Sequence, residues 1–164
     1  MGEKITREIK DKILDILDKM GLKLNKEKTK SVEAKKNAFN FLGFTFRFDN
    51  CLYNKGSKYW NVFPSKKAQK RLRRKIRDYL KSSGHLLPMA IANDLNSKLR
   101  GWINYFTISK VSYPNKAKRD IEWYLRRTLN KHFKRKSQRK SRLYSKGVYR
   151  ILVEKHGLVK PTAY

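Results

Sequence analysis

Hydrophobic positions recur with helical period through most of the chain. Over residues 4–20, Ile5, Ile9, Ile13, Ile16, Leu17 and Met20 return every three or four positions, which predicts an amphipathic helix. Glu8–Lys12 and Asp15–Lys19 add opposite charges four apart, and Gly21 supplies a left-handed stop. The pattern then changes. Leu22-Lys23-Leu24-Asn25-Lys26-Glu27-Lys28-Thr29-Lys30 reads as an extended segment with a polar turn. From Phe39 to Phe48 the phenylalanines alternate as in a strand, at 39 and 41 and then at 44, 46 and 48, so the phase slips once at Leu42-Gly43. A bulge or bend at Gly43 is the expected cause. A partner strand over 58–63 follows a turn at Asn54-Lys55-Gly56.

Helical spacing returns after Pro64. Ser65 is the expected N-cap of a helix over 66–81, in which Ala68, Leu72, Ile76, Tyr79 and Leu80 fall within roughly a third of the wheel. A helix over 88–107 carries Ile91, Leu95, Leu99, Trp102, Ile103 and Phe106 on one stripe, with Trp102 and Phe106 read as core. Gly101 in its interior costs ~1 kcal/mol against Ala. That predicts a close backbone approach there, by a neighbouring helix or by an RNA backbone. Tyr113-Pro114-Asn115 punctuates, and a helix over 116–134 turns Ala117, Ile121, Tyr124, Leu125, Leu129 and Phe133 inward. The tract 134–142 has no apolar face and reads as a frayed helix end or a loop. A short helix over 147–155 ends at His156-Gly157, and 158–164 reads as a loose tail. The expected fold class is α+β, mostly α: a small β element framed by helices, then a helical half whose short connections imply antiparallel packing.

Charge changes the picture. The 164 residues hold 42 Lys plus Arg against 13 Asp plus Glu, a net charge of +29. A compact chain so charged repels itself, and a polyanion relieves the repulsion. Nucleic acid is the first candidate and an anionic membrane surface the second. No apolar run approaches the ~20 residues of a spanning helix, and Lys4, Arg7, Lys10 and Lys12 interrupt any signal-like start. A cytoplasmic location without a membrane partner is therefore expected. In the 66–81 helix, Lys66, Lys67, Lys70, Arg71, Arg73, Arg74, Lys75, Arg77 and Lys81 all lie outside the apolar arc, offset only by Asp78. One face suits a core and the other suits phosphate. Arg100, Arg126, Arg127, Lys131 and Lys134 in the next two helices, and Arg135, Lys136, Arg139, Lys140 and Arg142 beyond them, complete the candidate RNA-binding set.

Catalysis finds no such support. A two-metal polymerase needs clustered carboxylates to hold Mg²⁺, whereas Asp49 and Asp94 are solitary and no Asp-Asp pair exists. The lone Cys51 excludes internal disulfides and multi-cysteine zinc sites, and reads as a small filler near a hairpin. His85, His132 and His156 lack metal-ligand spacing. There is no glycine-rich phosphate loop and no nucleophile elbow. No catalytic residue, metal or cofactor is expected, and no autonomous enzyme activity.

Several segments, in order, resemble those of group II intron reverse transcriptases, also called maturases. Residues 22–30 resemble the L-x-L-N-x-x-K-T segment that closes the palm. Phe41-Leu42-Gly43-Phe44 resembles the primer-grip hairpin, and Pro64-Ser65-Lys66-Lys67-Ala68 the start of the thumb, or X, domain. Leu99-Arg100-Gly101-Trp102-Ile103-Asn104-Tyr105-Phe106 is similar to the L-R-G-W-x-N-Y-F thumb helix. Tyr124-Leu125-Arg126-Arg127 and the Tyr149–Gly157 segment resemble the remaining thumb helices. The resemblance implies a C-terminal palm remnant over 1–63 and a helical thumb over 64–164. It implies a primer grip at Leu42, Gly43 and Phe44, and a palm lysine at Lys28 near an incoming triphosphate. It further implies partners in structured intron RNA and a template–primer duplex. The fingers and the catalytic Asp-Asp strand have no counterpart. The expectation is thus a truncation, a fragment or part of a split enzyme, with Mg²⁺ entering only if a separate palm/fingers chain supplies the site. Two alternatives stay open: a subunit completing a split RNA-directed DNA polymerase, and a generic basic nucleic-acid-binding protein.

Overall fold

The computed structural model describes residues 7–23, 25, 29, 31–51, 53–134 and 142–164, with the side chains of Arg7, Arg142 and Ser145 left aside. The chain divides into two compact units, Met1–Glu33 and Ala34–Tyr164. In the first unit, α1 spans Arg7–Lys19. Lys19 donates to Asp15 at 2.8 Å. Gly21 ends the helix at φ +69°, and the Leu22 N–H returns to the Leu17 carbonyl at 2.9 Å, the closing bond of a Schellman-type cap. Ile9, Ile13, Ile16 and Met20 on its apolar stripe are exposed.

The second unit begins with a three-stranded antiparallel sheet, order β1-β2-β3, from β1 (Phe39–Phe41), β2 (Phe44–Asn50) and β3 (Lys58–Pro64). The phase slip at Leu42-Gly43 is not a bulge within one strand. It is a chain reversal. Leu42 and Gly43 sit at φ 47° and 85°, the two-positive pattern of a type I′ hairpin turn. Phe41 then faces Phe44, and Phe39 faces Phe46. All five phenylalanines share one face of the sheet, and the Phe39 and Phe46 rings stack at 5.1 Å. β2 pairs onward with β3, Phe46 opposite Val62 and Phe48 opposite Trp60. The far edge of β3 is covered by the segment after the third helix, where the Tyr113 N–H donates to the Val62 carbonyl at 2.7 Å.

Helices complete the unit: α2 (Lys66–Ser82), α3 (Pro88–Phe106), α4 (Asn115–Lys134), α5 (Arg142–Ser145) and α6 (Val148–His156). The Ser65 hydroxyl caps α2, accepting from the Ala68 N–H at 3.2 Å. Pro88 opens α3 at a first-turn position, where its missing N–H costs nothing. Leu72, Ile76 and Leu80 of α2 meet Ile91, Leu95, Leu99 and Ile103 of α3. They also meet Ile121, Leu125, Leu129 and Phe133 of α4 and Leu152 of α6 in one core. Each such buried side chain contributes roughly 1.5–3 kcal/mol. A smaller cluster of Phe44, Val62 and Phe106, flanked by Ala68 and Trp102, joins the sheet to α2 and α3.

Two sequence expectations are corrected here. No helix approaches Gly101: a Cβ built there meets nothing within 4 Å, because the core stripe of α3 turns the other way. Residues 158–164 are not a loose tail. Leu158, Val159 and Pro161 are buried. The Asn96 side chain donates to the Gly157 carbonyl at 2.8 Å and accepts from the Val159 N–H at 2.7 Å. The Thr162 hydroxyl donates to the buried Glu122 carboxylate, and Lys118 Nζ donates to the Tyr164 carbonyl at 2.8 Å. Two apolar side chains entering the core offset the ordering cost that a polar tail could not.

Candidate nucleic-acid interface

The amphipathic pattern of α2 sets the charge. Its apolar positions are consumed by the core, so all but one of its cations are exposed. Lys66, Lys67, Lys70, Arg71, Arg74, Lys75, Arg77 and Lys81 are all exposed, and Arg73 is half-buried. Asp78 answers Arg74 at 3.5 Å and Arg77 at 3.6 Å; both pairs are open to water and weak. The Arg73 guanidinium lies 5.7 Å from the centroid of the Tyr124 ring, and the Tyr124 hydroxyl donates to the Arg73 carbonyl at 3.1 Å. Arg73 therefore fastens α2 to α4 as well as adding charge.

A groove of about 740 Å³ runs between the N-terminal half of α2, α3 and the Leu42-Gly43 turn. Lys67, Arg71 and Lys75, four apart along α2, line one side. Lys98, Gly101, Trp102 and Tyr105 of α3, at i, i+3, i+4 and i+7, line the other. Gly101 thus leaves the groove floor open. The Trp102 indole N–H is buried with no hydrogen-bond partner among the described residues. Lys98 Nζ lies 4.5 Å from the Tyr79 ring centroid. The Tyr79 hydroxyl donates to Asp94 at 2.7 Å, and burial together with that carboxylate raises the phenol above its ordinary pKa.

The hairpin turn is held against this groove. The Tyr105 hydroxyl donates to the Leu42 carbonyl at 2.8 Å. Phe44 is buried and packs on Phe106, ring centroids 4.8 Å apart. Of the three residues expected at a primer grip, Leu42 and Gly43 face the groove and Phe44 anchors the turn from beneath. Asp49 is engaged by Arg47 at 2.7 Å and by the Asn61 amide at 2.7 Å. Among the described residues, no group of three His, Cys, Asp or Glu side chains is arranged to hold a metal ion.

The other predicted cations distribute unevenly. Arg100 is exposed on α3 outside the groove. Arg126 is exposed but paired with Glu122 at 2.8 Å, and it lies 4.8 Å from the Tyr149 ring centroid. Arg127, Lys131 and Lys134 are exposed along α4. Lys28, Arg135, Lys136, Arg139 and Lys140 lie outside the described residues, as does the Arg142 side chain. Sequence reasoning missed Lys98 and Tyr105 as groove residues. Their spacing with Gly101 and Trp102 was the available signal. No helix among the described residues is long and apolar enough to cross a membrane.

Residues 69–147 match the family model of the group II intron, maturase-specific domain. A comparison with curated proteins finds no match.

Proposed function

We propose, from the match of residues 69–147 to the group II intron, maturase-specific domain, that the chain binds structured intron RNA through the cationic face of α2 and the groove beside it. Maturase-type function in group II intron splicing is the activity class of that domain. The observation that carries the RNA-binding reading is the pair of opposed walls. Lys67, Arg71 and Lys75 face Lys98 across a floor opened by Gly101. Cations at that spacing meet successive backbone phosphates. A groove side without a side chain at Gly101 lets a sugar-phosphate backbone approach α3 closely.

Structured RNA is the preferred occupant, because a fixed groove reads the shape of a helix rather than its sequence. The same groove accepts a template–primer duplex when a separate palm/fingers chain supplies the catalytic carboxylates. In that assembly Leu42 and Gly43 support the primer end.

Salt titration of binding to two RNAs of equal length, a folded group II intron domain and an unstructured control, tests this. The folded RNA should keep an advantage of ~2 kcal/mol at high salt, when nonspecific attraction has faded. Replacing Lys67, Arg71 and Lys75 together by Ala should reduce the log–log salt slope by about 2–3, one phosphate contact for each cation. Identical curves for the two RNAs would leave only a generic polyanion binder.

A further inference from the structure

A second cleft, also of about 740 Å³, opens between the C-terminal half of α2 and α4. Arg77 and Lys81, four apart on α2, form one wall. Arg127 and Lys131, four apart on α4, form the other. Among the described residues, no acidic side chain lines it. Its volume falls within the roughly 300–1,000 Å³ of pockets that take small organic groups. Leu80, Tyr124 and Trp123 give it apolar surface between the cations.

Trp123 is the unusual member. The core stripe of α4 runs through Ile121, Leu125 and Leu129, and Trp123 lies off it, 62% exposed. The Arg127 guanidinium sits 5.5 Å from its ring centroid, a contact that orients the indole. A helix surface built only for a duplex backbone needs cations and hydrogen-bond donors. An exposed indole adds nothing there, because the base faces of a duplex are already stacked on one another. An unpaired base has a free π-face, and aromatic rings among cations are how proteins take up such bases.

We propose that this cleft receives one unpaired nucleobase of the bound RNA, stacked on Trp123, with the flanking phosphates held by Arg77, Lys81, Arg127 and Lys131. The site presupposes the RNA-binding function proposed above and is separate from the groove beside Gly101. It confers a preference for RNA helices interrupted by a bulge or an internal loop, which a uniform cationic face cannot supply.

The test uses the full chain and two RNA hairpins that differ at one position. One carries a single unpaired adenosine in its stem, and its twin carries an abasic residue at the same place. Phosphate number and spacing are the same in both, so electrostatics cancel in the ratio. The native protein should bind the adenosine hairpin about fivefold to a hundredfold more tightly, the range for one base on one aromatic ring. Trp123→Ala should bind both hairpins at the abasic level with an unchanged salt slope, and Trp123→Phe should restore part of the preference. Circular dichroism and the Tm of each variant establish that the fold is retained, as expected for an exposed position. Equal binding of the twins by the native protein overturns the base site and leaves the RNA-binding function standing. So does a preference that survives Trp123→Ala. Failure to bind either hairpin at any salt concentration overturns both.

Discussion

Gly43 answers to two constraints at once. Its φ of +85° lies where a side chain is strained, and a Cβ there would stand 3.3 Å from Phe106 Cζ. Gly56, at φ +96°, has the backbone constraint alone, with nothing within 4 Å. Gly56→Ala should therefore cost about 1 kcal/mol of unfolding free energy from backbone strain. Gly43→Ala should cost more, about 2–3 kcal/mol, because Phe106 must also yield. Denaturant unfolding of the two variants measures the difference, and equal losses would mean that Phe106 moves freely. The turn itself was only half legible. Alternation of apolar residues records which face of a sheet each occupies, not the direction of the strand. A bulge and a two-residue reversal produce the same slip in phase. Leu42 at φ 47° hid the reversal further, since leucine is not a residue that turns favour. Its carbonyl is held by Tyr105, 63 positions away, and no local pattern announces such a partner.

At the scale of elements, α2 was legible almost in full. Its cap, its apolar arc and its cationic face all follow from spacing within one helix, and Leu72, Ile76 and Leu80 are buried as the wheel requires. The C-terminal segment was not legible, because its partners are distant in sequence. Short polar residues such as Thr162 look solvent-bound until Glu122, forty positions earlier, is placed beside them. Burial by itself would raise the Glu122 carboxyl. The Thr162 hydroxyl and the Arg126 guanidinium outweigh burial and hold it below the ordinary carboxylate range. A carboxyl with a depressed pKa in the fold stabilises above its unfolded value, and that stabilisation is lost as pH falls through the folded value. Glu122→Gln should thus cost about 1–2 kcal/mol at neutral pH, discounted because Arg126 is half exposed. The deficit should hold steady down to the ordinary carboxyl value of 4.5 and close at lower pH. Parallel thermal melts of the native and variant chains across that range measure it. A gap that widens on acidification would reverse the sign and remove the assigned role of Glu122.

For the whole molecule, the net charge of +29 was legible at once, but its arrangement was not. The groove beside Gly101 draws on three segments: the Leu42-Gly43 turn, the Lys67–Lys75 row and the Lys98–Tyr105 stripe. Each shows its own period in the sequence, and their meeting depends on the sheet docking through Phe44 onto Phe106. The same arrangement makes the protein respond to salt in two opposite ways. Among the described residues, the ion pairs on α2 are open to water. The fold therefore bears self-repulsion that counterions relieve. Raising sodium chloride from about 0.1 M to about 1 M contracts the Debye length from roughly 10 Å to 3 Å. That distance spans the gap between neighbouring cations on one helix face. The Tm of the free protein should rise with salt, by about 2–4 °C for each kcal/mol of repulsion screened, while affinity for RNA falls over the same range. Chloride is the appropriate anion, since sulfate stabilises most folds through exclusion from their surfaces. A Tm that stays flat while RNA affinity falls would mean that the cations lie far enough apart to be harmless without RNA. A Tm that falls would mean that attraction, not repulsion, dominates the folded charge pattern. A rising Tm would show that the free surface carries a repulsion that counterions relieve, and a polyanion bound to that surface would then stabilise the chain as well.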